Sequence, residues 1–434
     1  MSRVVVVGGG FGGAAAAARL AKLGHRVTLV ERLGRLGGAV GFVERDGYRW
    51  DAGPSSTGLP AVLRDLFRKS GRPLERELEL VPVEPIREHR FVDGAVLAMP
   101  SGSRSAQLEA VDGALGTGLG RQWVDYVHGH VETWDVLRRG YLERPYSASH
   151  ADAATRALLR TRTTLHRAVR RRFEDERLRA LALLSTVLDG QDPRRVPAWW
   201  GVWAYVEQAF GVWTVPGGMG LLGDALSRRL RDRRVEVLLQ TTVQDVRIHD
   251  GRATGVVTDH GSLDAEVVVC AVDPQSLPGL ARGGRRAGAA ADPPAVCHLG
   301  LRGEVPDLSH EVVLHGDPTL VVRTHGTAPA GAAAWTVLAR GGLTEDVVVA
   351  LARRGIDVTG QVELRVDRSP PDQVQELAGS PYGELWRGRA TMDRRLAGPA
   401  VQGLHVAGVH AAAGSGLPLV GLAAAVVAQR IGSA

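Results

Sequence analysis

The residues best suited to chemistry lie near the amino terminus. Gly8, Gly10 and Gly13 stand between four consecutive valines and an alanine-rich run, and Glu31 ends the next apolar stretch. Gly8 permits a tight turn after a strand, Gly10 lets the backbone approach a pyrophosphate, and Gly13 allows a helix to pack closely on the strand. The first N–H groups of that helix would face phosphate oxygens, and Glu31 can accept hydrogen bonds from ribose hydroxyls. This spacing predicts a dinucleotide site.

A βαβ unit must position these residues. The valines at 4–7 predict a strand, the run that ends at Leu23 predicts a helix, and Arg26–Val30 predicts a second strand. Gly37-Gly38 follow and offer backbone amides close to the same ligand. At this point NAD and FAD fit the pattern equally well.

Length, composition and charge limit the number of domains and the kinds of partner that the protein can have. The chain has 434 residues and 44% apolar content, enough for two or three domains. The net charge of +6 comes from an arginine bias, since only Lys22 and Lys69 are lysines. We interpret this bias as codon usage and predict no nucleic-acid partner. Residues 155–180 hold nine arginines against three acidic residues. Such a helical face could meet anionic lipid headgroups, and a solvated helix face is the alternative.

Cysteine usage and hydropathy limit the other classes of site. Cys270 and Cys297 are the only cysteines, so neither a disulfide framework nor a CxxC metal pair is present, and we predict no metal. The first residues enter a strand without a basic and then an apolar leader, which predicts a cytoplasmic protein. The charge-free run at 396–429 is interrupted by two histidines, by Gly414-Ser415-Gly416 and by Pro418, so we reject a membrane helix there.

The middle of the chain alternates helical and extended patterns. Residues 105–190 are mostly helical by period, and Leu158, Arg162, Leu165, Val169 and Phe173 predict one continuous helical face. Asp189-Gly190 predicts the stop of this insert. Ser276–Pro294 is rich in Gly, Ala, Arg and Pro and predicts a mobile connection. Further strands are predicted at Val235–Leu238, Val243–His249, Ala253–Thr258, Leu263–Val269, Val296–Leu301, Val312–Leu314, Leu320–Val322, Ala334–Leu338 and Leu404–Ala407, and a last helix at Leu417–Ile431.

Several motifs together resemble one family. They are Gly8–Gly13 with Glu31, Gly37-Gly38, the run Asp46–Pro54, Gly211-Val212-Trp213 before Pro216–Gly220, Ala271–Pro274, and Gly408 with Gly414–Pro418. With these motifs the chain resembles the FAD-dependent phytoene desaturase-like (carotenoid and retinoid) oxidoreductases, which are related to flavin amine oxidases and protoporphyrinogen oxidases. The resemblance extends along nearly the whole chain and selects FAD rather than NAD as the cofactor.

The resemblance implies an α/β fold, α+β overall. A discontinuous Rossmann-like FAD/NAD(P)-binding domain of glutathione-reductase type would comprise residues 1–75, 212–275 and 396–434. A substrate domain of mixed sheet plus helical insert would comprise 76–211 and 276–395, with the insert at about 105–190. An apolar tunnel would lead to the isoalloxazine, where hydride transfer to flavin N5 would form a new C=C bond. Oxygen or a quinone would reoxidise the flavin.

The resemblance also implies which residues contact the cofactor. They are Gly8, Gly10, Phe11, Gly12, Gly13, Glu31, Arg32, Gly37, Gly38, Ala39, Val243, Gly408, Val409, Gly416 and Leu417. Val243 would offer its backbone to adenine, and Gly408 and Leu417 would border the flavin and ribityl chain. Trp213 and Met219 are candidates to contact the substrate.

The chain departs from the family's pattern at two places. Ala39 follows the glycine pair where arginine is common, so a pyrophosphate cation would come from Arg32, Arg35 or elsewhere. Ala411-Ala412-Ala413 replaces a frequent Thr-His-Pro, and Val409 is apolar where a small or acidic residue is usual. With the shorter helical insert, these departures favour a hydrophobic substrate that is smaller than phytoene or different from it, such as a natural-product intermediate.

A side-chain base is needed only if the substrate carries an acidic proton or an amine. Histidines are then the first candidates, namely His128, His130 and His410, and His410 is nearest the predicted flavin edge. An ordinary structural histidine is the alternative for each. Three other functions stay open: a flavin amine oxidase, which usually has a lysine near the flavin, a flavin-dependent cyclase or isomerase, and a lipid carrier with the same fold.

Overall fold

A computed structural model of the chain describes residues 1–281, 288–397 and 400–434. Part of the connection predicted at Ser276–Pro294, residues 282–287, lies outside the described residues. The strands are β1 (Arg3–Val7), β2 (Arg26–Val30), β3 (Phe42–Arg45), β4 (Tyr48–Asp51), β5 (Thr57–Gly58), β6 (Val81–Pro82), β7 (Arg87–Arg90), β8 (Val96–Met99), β9 (Val212–Thr214), β10 (Glu236–Leu238), β11 (Val243–His249), β12 (Arg252–Thr258), β13 (Gly261–Asp264), β14 (Val267–Cys270), β15 (Ala295–Arg302), β16 (Glu311–Leu314), β17 (Thr319–Gly326), β18 (Ala332–Arg340), β19 (Val362–Arg368) and β20 (Leu404–Val406). The α-helices are α1 (Phe11–Lys22), α2 (Pro60–Ser70), α3 (Arg104–Leu115), α4 (Leu119–His128), α5 (Val131–Leu137), α6 (Ala153–Leu159), α7 (Leu165–Arg172), α8 (Glu176–Leu188), α9 (Val202–Phe210), α10 (Leu221–Asp232), α11 (Pro278–Ala281), α12 (Val347–Arg353), α13 (Pro370–Leu377), α14 (Arg389–Ala397) and α15 (Leu417–Ile431).

A five-stranded parallel sheet positions the nucleotide motif. Its strand order is β10-β2-β1-β14-β20, so three distant segments of the chain contribute to it. The valines of β1 are buried on both faces, as expected for a central parallel strand. On one face α1 packs against α15, and on the other the antiparallel strands β11, β12 and β13 cover the sheet. This arrangement confirms the predicted Rossmann-like α/β fold, and the residue limits of the two domains stay a prediction.

The strands of a second, seven-stranded mixed sheet alternate along the chain with those of the first. Its order is β19-β15-β18-β17-β16-β7-β8, with one parallel pair between β7 and β16. One face packs against α12, and the other contacts Leu184 and Leu188 of the insert. The expected combination of a mixed sheet with a helical insert is therefore confirmed.

The continuous helical face predicted through Leu158, Arg162 and Leu165 is wrong. Helix α6 ends at Leu159 and α7 begins at Leu165. The Leu165 N–H donates to the carbonyl of Val196 at 3.1 Å instead of to a preceding turn, and the Thr164 side chain caps α7. The contact with residue 196 comes from a distant part of the chain, and it interrupts the local period.

A buried ion cluster joins the second sheet to helix α9. Arg87 on β7 lies 2.6 Å from Glu311 on β16 and 3.2 Å from Glu207 on α9. Arg323 on β17 approaches the other oxygen of Glu311 at 2.9 Å. Burial raises the pKa of Glu311, but the charges of Arg87 and Arg323 outweigh burial and lower that pKa to about 2.

We expect Glu311 to make the fold acid-sensitive. Its folded pKa lies below the ordinary value of 4.5, so its stabilisation is present above that pH and is lost as pH falls toward 2. The loss is on the order of 3 kcal/mol. Unfolding free energies measured by urea denaturation from pH 7 to pH 3 should therefore fall less steeply for Glu311→Gln than for the parent. Glu174→Gln, at an exposed position, should keep the parental slope, and equal slopes in all three proteins would contradict the assignment.

Candidate functional site

The predicted phosphate turn lies between β1 and α1. Gly8 has φ of +96°, and its N–H donates to the carbonyl of Val30 at 2.8 Å. A Cβ added to Gly13 would lie 2.0 Å from the Gly8 carbonyl oxygen, so only glycine allows this close packing. At Gly10, by contrast, an added Cβ would meet no atom within 4 Å. The turn therefore leaves open space in front of the first N–H groups of α1.

Two other segments converge on this turn. The Gly37 N–H donates to the Gly9 carbonyl at 2.8 Å, and a Cβ on Gly38 would lie 3.0 Å from the Cα of Gly10. A Cβ on Gly12 would lie 2.5 Å from the Cα of Gly408. The structure thus brings together predicted cofactor residues from the beginning, the glycine pair and the end of the chain.

Glu31 is oriented at the carboxyl end of β2. Its two carboxylate oxygens accept hydrogen bonds from the N–H groups of Gly9 at 2.6 Å and Leu33 at 2.7 Å. Each oxygen has a further lone pair that a ribose hydroxyl could use. The backbone carbonyl of Glu31 accepts from the N–H of Thr241 at 3.0 Å, which places the start of β11 at Val243 close by.

The arginines considered as pyrophosphate cations differ in position. Arg32 donates to the carbonyl of Gln375 at 3.2 Å, near the end of α13. Arg35 instead donates to the carbonyl of Gly38 at 3.1 Å, directly at the glycine pair. Ala39 lies against Gly53, where an added Cβ would be 2.6 Å from the Ala39 carbonyl oxygen. Of the two arginines, Arg35 therefore lies directly at the glycine pair.

A second helix N-terminus opens near the first. Gly416 is the N-cap of α15, and Leu417 begins the helix. Neither Gly416 nor Gly10 provides a side-chain cap, and a Cβ added to Gly416 would meet only Pro418 at 3.8 Å. Uncapped N–H groups and positive helix dipoles are what the pyrophosphate and the oxygens of a dinucleotide cofactor require. The residues present therefore fit the group.

The candidate histidines lie in different surroundings. His410 is half-buried in the turn before α15, and burial lowers its pKa. Burial also lowers the pKa of His130, to about 4, and the ring of His130 packs edge-on against Tyr126 inside the insert. His128 is exposed at the end of α4. Only His410 lies on the turn that joins Gly408 to Gly416.

The two substrate candidates differ in exposure, because Trp213 is half-buried and Met219 is not exposed. Met219 is fully buried in the main core. The indole N–H of Trp213 donates to the Phe210 carbonyl at 2.8 Å, and the ring lies under the guanidinium of Arg64 at 5.4 Å. Their contact with a substrate stays a prediction. Asp51, in the same region, accepts a hydrogen bond from the Gly220 N–H at 2.8 Å, and burial raises its pKa.

Sequence reasoning missed residues that hold the turn before α15. Asp189, which ends α8, accepts hydrogen bonds from the Ser415 N–H at 3.1 Å and from its hydroxyl. Arg395 on α14 donates to the carbonyl of Ala412 and lies 5.3 Å from the Trp386 ring. In the sequence, Asp189-Gly190 indicates only the end of a helix, because Ser415, the hydrogen-bond partner of Asp189, lies 226 residues away.

The described residues contain no group of three or more His, Cys, Asp or Glu side chains placed to hold a metal ion. Both cysteines are buried, and burial raises the pKa of Cys270 to about 12. None of the helices in the described ranges combines the length and the hydropathy needed to cross a bilayer.

Comparison with known proteins agrees with this geometry. The family model described as flavin-containing amine oxidoreductase matches residues 11–321. A phytoene desaturase (neurosporene-forming) from Rhodobacter capsulatus is 31% identical over 285 residues, which cover 63% of this chain and 53% of the relative. A phytoene dehydrogenase from Streptomyces griseus is 30% identical over 328 residues, covering 73% of this chain and 64% of the relative. The match thus spans about half to two thirds of these relatives.

Solved structures share the fold at low identity. A putrescine oxidase variant superposes with a TM-score of 0.71 at 16% identity, covering 99% of this chain and 97% of that one. Cyclohexylamine oxidase from Brevibacterium oxydans gives a TM-score of 0.67 at 19% identity, with 99% of both chains covered. The chain therefore belongs to the flavin-containing amine oxidoreductase family, and FAD is its cofactor.

Proposed function

We propose that the protein is an FAD-dependent oxidoreductase that desaturates a hydrophobic small molecule, an isoprenoid or other natural-product intermediate. The observation that carries the proposal is the convergence of the turns at Gly10, Gly37 and Gly408 beside two uncapped helix N-termini. The names of the curated relatives, phytoene desaturase and phytoene dehydrogenase, support the reaction class.

The residues proposed to hold the cofactor divide by role. The backbone at Gly8, Gly10, Phe11, Gly12, Gly13, Gly37, Gly38 and Ala39 would surround the pyrophosphate, with Arg35 and Arg32 as nearby cations. Glu31 would bind the adenosine ribose and Val243 the adenine. Gly408, Val409, Gly416 and Leu417 would border the ribityl chain and flavin.

Bound FAD supplies an electron sink that takes a hydride at N5. The protein's part is to bind and orient the substrate and to exclude water. His410 is the candidate proton acceptor if the substrate carries an acidic proton, because its lowered pKa keeps the imidazole neutral at pH 7. Oxygen or a quinone would be the final electron acceptor.

An amine oxidase is the second candidate, favoured by the description of the matching family. Its usual lysine near the flavin has no evident counterpart, because Lys22 lies in α1 and Lys69 is exposed at the end of α2. A cyclase or isomerase would use the same site without net oxidation. A lipid carrier would have no need for the open turn at Gly10.

Anaerobic flavin reduction separates these functions. The protein is reconstituted with FAD, freed of excess cofactor, and mixed without oxygen with phytoene, shorter isoprenoid hydrocarbons or primary amines. We expect a hydrocarbon to bleach the flavin bands and to yield a product with one more C=C bond. Bleaching by amines alone would establish the second candidate, product isomerisation without bleaching would indicate the cyclase or isomerase, and failure to retain FAD would exclude all three enzymes.

We further propose peripheral membrane contact through the arginine-rich helix α7. Its exposed side chains include Arg170, Arg171 and Arg172. Clustered cations gain about 1 kcal/mol each near an anionic surface. Replacing the three with Gln should reduce flotation with phosphatidylglycerol vesicles at least tenfold at low salt and should leave FAD content unchanged. Equal flotation of variant and parent would contradict membrane contact by this helix.

A further inference from the structure

We propose that a cleft between the helical insert and α14 binds an amphipathic anion, a molecule with a phosphate or carboxylate group on an apolar chain. The cleft has a volume of about 470 Å³ and is lined by residues 159–164, 195–197 and 386–393 in part. This volume is typical of small-molecule sites. None of the residues assigned to the dinucleotide lines it.

The rim of the cleft is cationic. Arg162, Arg195 and Arg389 line it, and all three are exposed. Within residues 1–281, 288–397 and 400–434, none of the three guanidinium groups forms an ion pair. Asp393 is the one carboxylate among the lining residues, so the rim keeps a net charge of about +2 by formal count. Guanidinium groups at one opening suit the planar oxygens of a carboxylate or phosphate.

The floor of the cleft combines apolar and hydroxyl side chains. Leu159, Val196, Pro197, Trp386 and Met392 contribute the apolar atoms, and Thr161, Thr163 and Thr164 contribute hydroxyl groups. An inorganic anion would contact only exposed arginines, and such exposed pairs are weak. An apolar chain on this floor adds about 0.8 kcal/mol for each buried CH₂ group. The combination of rim and floor therefore selects a ligand that has both an anionic head and a chain.

The walls are held in place before any ligand binds. The Gly388 N–H donates to the Arg195 carbonyl at 2.9 Å, which links the segment after the insert to the segment before α14. Trp386 packs edge-on against Trp199 and Trp200 at ring distances of 5.6 and 5.3 Å. A preorganised site loses less entropy on binding. Because Trp200 also lies next to Gly414, the inner wall of the cleft adjoins the turn before α15.

Binding of decyl phosphate to the FAD-loaded protein tests the site. Isothermal titration below the critical micelle concentration should give saturable binding, with butyl phosphate and inorganic phosphate at least tenfold weaker. The triple variant Arg162→Gln, Arg195→Gln, Arg389→Gln should weaken decyl phosphate binding at least tenfold. All three positions are exposed, so the fold should persist. The variant Arg26→Gln, Arg45→Gln, Arg231→Gln removes the same charge from exposed positions outside both the cleft and α7 and should bind decyl phosphate like the parent.

The outcomes decide both the site and the source of its ligand. Equal loss in the two triple variants, or equal affinity for inorganic and decyl phosphate, would overturn the proposal. If the cleft variant also loses flotation with phosphatidylglycerol vesicles, the anionic head group that the cleft binds belongs to a membrane lipid. If flotation is unchanged while decyl phosphate binding is lost, the ligand is a free amphiphile. The experiment measures ligand binding and not oxidation of a substrate. Failure to bind decyl phosphate would therefore not contradict the proposed desaturation, and failure to desaturate a hydrocarbon would not contradict the proposed cleft.

Discussion

Replacing Gly10 with valine is expected to abolish FAD binding while leaving the apoprotein folded. Gly10 has φ of −62°, which valine adopts without strain, and an added Cβ would meet no protein atom within 4 Å. The valine methyl groups would instead fill the open space in front of α1, where the pyrophosphate must approach the N–H groups. We expect FAD affinity to fall at least 100-fold, or about 2.8 kcal/mol.

The measurement is the ratio of flavin to protein after reconstitution and desalting, together with the thermal midpoint of the apoprotein. Gly113→Val is the matched control, because Gly113 lies in α3 with open space around it and is far from the glycine turns in the chain. Its FAD content should equal that of the parent. Stoichiometric FAD in Gly10→Val would show that the turn is not the pyrophosphate site.

Replacing Arg87 with methionine should cause the largest loss of stability. The change removes one partner of the buried pair with Glu311 and leaves that carboxylate in the core. Breaking a buried pair from one side costs about 3–5 kcal/mol. Arg323 remains 2.9 Å from Glu311, and Glu207 is partly exposed, so we expect a value near the lower limit, about 3 kcal/mol.

Urea denaturation of the apoprotein measures this loss. Arg121→Met breaks an exposed pair with Asp125 on α4 and should change the unfolding free energy by less than about 1 kcal/mol. If Arg87→Met and Arg121→Met destabilise the protein equally, the buried cluster does not stabilise the contact between the second sheet and α9.

The first βαβ unit could be predicted from sequence because its determinants are local. The valines of β1, the spacing from Gly8 to Gly13 and the acidic end of β2 all lie within one short stretch, and the structure has these elements where expected. Strands β15 to β18 of the second sheet were also predictable, since they contain apolar runs bounded by turns. No strand was predicted at β19, where charged and apolar residues alternate. Periodicity failed between Leu159, where α6 ends, and Leu165, where α7 begins and the N–H donates to the carbonyl of residue 196.

The tertiary contacts of the site could not be predicted. Asp189 holds Ser415, and Arg395 holds Ala412, through side chains whose sequence neighbours give no sign of the partner. The cleft depends likewise on Arg162, Arg195 and Arg389, which lie in three separate segments and are indistinguishable by type from the many other arginines. Such sites require the folded arrangement of the chain.

The order of strands in the first sheet has a consequence for biosynthesis. Strand β1 is synthesised well before one of its two neighbours, β14, which pairs Val267 with Val4, and Gly416 is made later still. Until then the four valines form an unpaired apolar edge, which is prone to aggregation. FAD can contact both helix N-termini only after the segment from Gly10 to Leu417 has been translated. Cofactor binding at the complete site therefore follows the synthesis of α15.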